Sequence, residues 1–159
     1  MIVSINITGQ NTKTVQSKDT NNVARGDAGE YLALYELRMN KVVAHKITNA
    51  PYDIIVNHSD SLIKVQCKTG HHPQSWRTKK RFTDRLRFRC YRGSNSKTRY
   101  NKNEVDIYAF ADLDQKVVAW VNFKDVNTSL VIKKNSFDKY GLSKCLSEHI
   151  KANQRGQID

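Results

Sequence analysis

Two apolar-rich runs, Tyr52–Val56 and Leu62–Lys68, flank the turn-forming stretch His58-Ser-Asp-Ser61. Short polar side chains of this kind bond back to their own backbone and favour reversal, so the two runs are expected to pair as an antiparallel hairpin. With the turn centred on Ser59-Asp60, residues whose numbers sum to 119 face each other, and Asp53 lies opposite Gln66. Opposed side chains share a sheet face with Cβ atoms about 4.5–5.5 Å apart. Gln66 and Lys68 share that face by the strand period of two, about 6.5–7 Å apart. An acid, an amide and a lysine therefore converge at one end of the hairpin. A slip of one residue would set Asp53 against Cys67 and break the cluster.

A carboxylate and an amide carbonyl are hard oxygen ligands that suit Mg²⁺, which keeps several waters and binds substrate phosphate as well. A lysine beside such an ion can orient or help deprotonate a water, or stabilise charge on the phosphate. A plain surface ion pair between Asp53 and Lys68 satisfies the same pattern. Two glycines, Gly26 and Gly29, flank Asp27 just before Glu30 in a helical stretch. Each costs about 1 kcal/mol relative to alanine inside a helix. Either something approaches the backbone there, or the regular helix begins only at Asp27 or Ala28. Glu30 also suits the first turn of a helix for its charge alone.

Around the hairpin, Val3, Ile5 and Ile7 alternate as a short edge strand, and residues 8–22 read as a polar arm. From Val23 to Met39 the positions Ala24, Ala28, Tyr31/Leu32, Tyr35 and Met39 recur at three and four. Widened by Leu34 and Leu37, they predict a core-facing helix capped by Asn21 or Asn22 and closed by Asn40. Val42–Ile47 is a further strand. Val105–Phe110 and Val117–Phe123 form a second hairpin about Asp112-Leu-Asp-Gln115, Leu130–Lys133 is a short strand, and an amphipathic helix carries Leu142, Cys145/Leu146 and His149/Ile150. No repeat or linker divides the chain, so one layerable domain is expected, a helix, a sheet of mixed hairpins and a closing helix, of α+β or α/β class.

The chain's net charge of +12 is concentrated between Arg77 and Lys102. Eleven basic residues there (Arg77, Lys79, Lys80, Arg81, Arg85, Arg87, Arg89, Arg92, Lys97, Arg99, Lys102) face one acid, Asp84, which leaves only +2 for the other 133 residues. Such a block implies a polyanionic partner, nucleic acid first. Within it Arg85, Arg87 and Arg89 alternate with Leu86, Phe88 and Cys90, giving a ribbon with one basic face that can meet phosphates or read guanine. Trp76, Phe82, Tyr91 and Tyr100 are interleaved and can wedge or stack. Charge that protects an edge strand explains three arginines, not this surplus. The apolar fraction of 38 % supports one core. No apolar run reaches the roughly 20 residues of a membrane span, and the start lacks a signal peptide. Three scattered cysteines, Cys67, Cys90 and Cys145, make no disulfide framework, so a cytoplasmic protein is expected. His45, His58, His71 and His72 lack the paired spacing of a zinc site. His71-His72 reads as a DNA-facing loop.

The ordered set Gly29-Glu30, Pro51-Tyr-Asp53 and Val65-Gln-Cys-Lys68 resembles the PD-(D/E)xK nuclease superfamily. It is most similar to the group I intron-associated homing endonuclease branch, where glutamine replaces the motif's second acid. The Arg/Phe-alternating strand and Glu104-Val-Asp-Ile-Tyr-Ala-Phe110 downstream fit that branch, and the resemblance covers about residues 23–123. It implies an α/β restriction-endonuclease-like core over residues 23–150, a mixed β-sheet flanked by helices that holds the basic DNA-binding segment 76–103, with 1–22 as a strand and arm and 151–159 as a tail. It implies Asp53 as chief metal ligand beside the Cys67 backbone carbonyl, Gln66 as neutral ligand or water positioner, Glu30 for a second metal or its water, and Lys68 acting on the nucleophile. The expected function is a Mg²⁺-dependent endonuclease on double-stranded DNA, with Mn²⁺ as substitute, site-specific and of homing type, working as a homodimer or homotetramer. A Holliday-junction resolvase of the same fold and a catalytically silent DNA- or RNA-binding protein are the alternatives.

Overall fold

The computed structural model describes residues 18–75, 78–92 and 98–155. The alternating run at Val3, Ile5 and Ile7, the arm up to residue 17, Trp76, Arg77, Lys97 and the last four residues lie outside the described residues. Helix α1 (Lys18–Met39) leads into strand β1 (Val43–Lys46), β2 (Ile54–His58) and β3 (Ser61–Thr69). The basic segment supplies β4 (Arg85–Arg89), β5 (Tyr91–Arg92) and β6 (Thr98–Arg99). Strands β7 (Ile107–Asp112) and β8 (Val117–Asn122), then β9 (Ser129–Lys133) and helix α2 (Leu142–Arg155), complete the order. A five-stranded mixed sheet runs β1-β2-β3-β7-β8, and β4 pairs separately with β9. Among the described residues no helix is long and apolar enough to cross a membrane.

The β2–β3 hairpin has the register its turn implies, with Ile54 opposite Val65 and His58 opposite Ser61. Ser59 and Asp60 both take positive φ, 50° and 61°. That is the backbone of a two-residue hairpin loop whose twist matches the strands. Strand β3 then pairs parallel with β7, Gln66 beside Tyr108 and Lys68 beside Phe110, although residues 70–106 intervene. Alternation along β3 and β7 splits the core in two. Ile63, Val65, Cys67, Ile107 and Ala109 pack with α1 and α2, whereas Tyr108 and Phe110 pack with Leu86, Phe88 and Cys90 of the basic ribbon.

Helix α1 departs from the expectation in two respects. It begins at Lys18, so residues 18–22 are helix rather than arm, and Asn21 and Asn22 lie inside it instead of capping it. Its buried face is Gly29, Ala33 and Leu37, while Tyr31, Tyr35 and Met39 are exposed. The reason is close packing: a Cβ on Gly29 would collide with Thr69 Oγ1 of β3 and press on Ala111 of β7. Only the small-residue face lets the helix sit this near the sheet. At its end Asn40 donates its side-chain amide to the Glu36 carbonyl at 2.9 Å, and Lys41 turns left-handed with φ 60°. The Lys41 and Val42 amides then close onto Arg38 and Leu37 carbonyls, completing a helix stop.

Candidate active site

Asp53 precedes β2, and its amide donates to the Val65 carbonyl at 2.9 Å, which extends the hairpin register to the acid. Its Oδ2 accepts the Cys67 backbone N–H at 2.7 Å and the Gln66 amide. Gln66 is 6 % exposed, and its Nε2 also donates to the Cys67 carbonyl at 3.2 Å. Lys68 donates to the Tyr100 hydroxyl at 3.0 Å. Among the described residues no ion pair joins Asp53 to Lys68, so the simple surface pair is not what this arrangement is.

Across from the hairpin, Glu30 on α1 is held by Lys46 of β1 at 2.9 Å, and the same ammonium reaches Asp27 at 3.2 Å. A cleft of about 870 Å³ collects Glu30, Asp53, Gln66, Cys67 and Lys68 with Asn22, Arg25, Gly26, His71 and Arg89. Burial pushes the Asp53 carboxyl up to about 6, and Glu30 adds to the rise; the Cys67 N–H, Lys68 and Lys46 oppose it. Burial also pushes the Cys67 thiol well up, so it stays neutral and only its carbonyl serves the cleft. Burial and the nearby Arg89 and Arg87 hold His71 below the usual imidazole range.

These donors fit a hard divalent cation. Two carboxylates, an amide and a backbone carbonyl are oxygen donors, although among the described residues no three His, Cys, Asp or Glu side chains gather closely enough to hold an ion by themselves. One feature works against entry: the Gln66 amide nitrogen faces both Asp53 and the Cys67 carbonyl, so the amide must turn over before its oxygen can serve as a ligand.

The basic segment is less uniform than its composition. Arg87 and Arg89 are exposed on the outer face of β4, and Arg89 opens onto the cleft. Arg85 is paired with Asp84 at 2.8 Å and lies over Phe82. Arg92 is tied to Glu104 and rests against Tyr100. Lys79, Lys80, Arg81, Arg99 and Lys102 are exposed. Arg81 lines a second cleft of about 430 Å³, which shares Arg25, Gly70 and His71 with the first and adds His72. Lys102 opens elsewhere, beside α2. Tyr100, read as a stacking residue, is 8 % exposed and belongs to the core. Sequence reasoning missed Lys46, Arg25 and the Tyr100–Lys68 contact. All three depend on tertiary approach, and only the lysine at the end of the β1 run offered any local signal.

A family model described as PD-(D/E)XK endonuclease matches residues 20–142. Among solved structures, the chain is similar to one entitled a bacterial homing endonuclease, I-Ssp6803I, with a TM-score of 0.58 and 16 % identity. That likeness covers 84 % of this chain and 95 % of the other, and at such identity it concerns the fold. No curated protein matches.

Proposed function

This chain belongs to the PD-(D/E)XK endonuclease family, and from that premise we propose a divalent-metal-dependent hydrolase of phosphodiester bonds in double-stranded DNA. Site-specific cutting of homing type is the form of that activity the glutamine motif favours. The observation that carries the reading is the convergence of Asp53, Gln66 and Lys68 at one end of the hairpin, with Glu30 in the same cleft.

Asp53, the Cys67 carbonyl and a turned Gln66 amide would hold Mg²⁺ or Mn²⁺, with Glu30 placed for a second ion or its water. The ion supplies Lewis-acid stabilisation of phosphate charge and a more acidic water. The chain's own groups do the rest. Lys68 places a cation at the reacting phosphate, offsetting charge that builds as water attacks and a P–O bond breaks. Lys46 holds the Glu30 side chain at 2.9 Å where it lines the cleft. Arg87 and Arg89 present charge along the strand leading to it. A homodimer or homotetramer would bring a second such cleft to the opposite DNA strand.

The test is cleavage of supercoiled plasmid with Mg²⁺ or Mn²⁺ against EDTA. Wild type should nick or linearise it only with metal, while Asp53→Ala should lose cutting and keep DNA binding. Full cutting by Asp53→Ala would overturn the site. A substrate arm with linear duplex and four-way junction distinguishes an endonuclease from a junction resolvase.

A further inference from the structure

We propose that Tyr100 is a positioning residue for Lys68, an inference that rests on the role given to Lys68 above. Lys68 Nζ donates to the Tyr100 hydroxyl at 3.0 Å and lies 4.9 Å from the ring centroid. The phenol itself cannot swing. Its ring meets Tyr108 edge-on with centroids 6.2 Å apart, and the Arg92 guanidinium stands 5.1 Å from it. Arg92 is in turn ion-paired with Glu104, whose carboxylate accepts the Asn101 backbone N–H at 2.9 Å. Tyr100 does not line the cleft, so it acts through the lysine and not on substrate.

The physical need is clear. A lysine side chain has many rotamers, and an unanchored ammonium would have to give up that freedom when it meets the phosphate. An acceptor fixed in the core removes that cost before substrate arrives. An ammonium has three N–H donors. Tyr100 takes one, which leaves two for phosphate and water. The segment that bears the arginine ribbon thus also bears the support of the reactive lysine. Arg92, counted by composition among DNA contacts, is also the ring's neighbour.

The test is Tyr100→Phe, which keeps the ring and deletes the acceptor, beside Tyr108→Phe, which deletes a hydroxyl from the same aromatic cluster. Two readouts are taken: single-turnover cleavage at saturating enzyme, and the ¹³Cε–¹Hε signals of labelled lysine in metal-free protein. In wild type and Tyr108→Phe the Lys68 methylene protons should be inequivalent, as for a fixed side chain. In Tyr100→Phe they should collapse to one averaged signal. Cleavage should fall by about 10- to 100-fold, the size expected for loss of orientation, with duplex affinity unchanged. Wild-type Lys68 signals in Tyr100→Phe would overturn the proposal, as would a wild-type cleavage rate. A wild-type protein that cuts no DNA would sink the nuclease reading, while the lysine signals would still decide the role of Tyr100.

Discussion

At the scale of single residues, Asp53 couples the cleft to pH. Its carboxyl is pushed from an ordinary 3.8 up to about 6, chiefly by burial, so the folded protein favours the protonated form. For an acid with a raised value, the associated stability is complete below about pH 4 and disappears as pH rises through about 6. Asp53→Asn should therefore stabilise the metal-free protein by up to about 3 kcal/mol at pH 8 and by little at pH 4, measured by urea unfolding. In wild type at limiting metal, cleavage should decline as pH drops below about 6, and added cation should move that decline lower because it competes with the proton for Asp53. The two helix glycines behave oppositely. Gly26 has open space around its missing Cβ, so Gly26→Ala should stabilise by about 0.5–1 kcal/mol through helix propensity. Gly29→Ala forces a Cβ onto Thr69 and should cost about 1–3 kcal/mol. Thermal unfolding of the pair checks both signs. If Gly26→Ala is also impaired in DNA binding, substrate approaches that open space.

At the scale of elements, the β4 ribbon divides its two faces between different tasks. Leu86 and Phe88 bury against the sheet, and Gly70 is needed because a Cβ there would lie 2.8 Å from the Phe88 ring. Arg87 and Arg89 carry no ion pair among the described residues, whereas Arg85 and Arg92 are already engaged. Substituting Arg87 or Arg89 by alanine should lower the slope of log K against log[salt] by about one each. Arg92→Ala should leave the slope nearly unchanged. Equal slopes for all three variants would place DNA elsewhere. This ribbon and the first hairpin were legible in the sequence because a period of two and a two-residue turn are local signals. Asp53 met Gln66 for that reason. The face of α1 was legible only in part: Leu32, Leu34 and Leu37 do pack on the core. Tyr31, Tyr35 and Met39 form as regular an apolar stripe as Gly29, Ala33 and Leu37, and only contact with Thr69 chooses between them. The parallel joining of β3 to β7 left no local trace either, nor did the burial of Tyr100.

At the scale of the whole molecule, the charge of +12 sits on a chain whose described residues hold one set of Glu30, Asp53 and Lys68. On the proposed reading one set would cut one strand at a time. If two chains combine on a duplex, linearisation should rise more steeply with protein concentration than nicking does, and analytical sedimentation should show the assembly. Parallel dependence of the two products would mean independent single-strand events. The parallel β3–β7 join has a further consequence, for the order in which the cleft matures as the chain folds. Asp53 and Gln66 are 13 residues apart and joined by a tight reversal, so their meeting closes only a small loop. Lys68 and Tyr100 are 32 apart and meet only once the long excursion has returned to the sheet. Non-local closure of that kind is the slow part of folding. On the proposed reading Asp53 and Gln66 would therefore meet early and Lys68 would be fixed late, so a half-folded chain would carry part of the cation site before the lysine that acts with it.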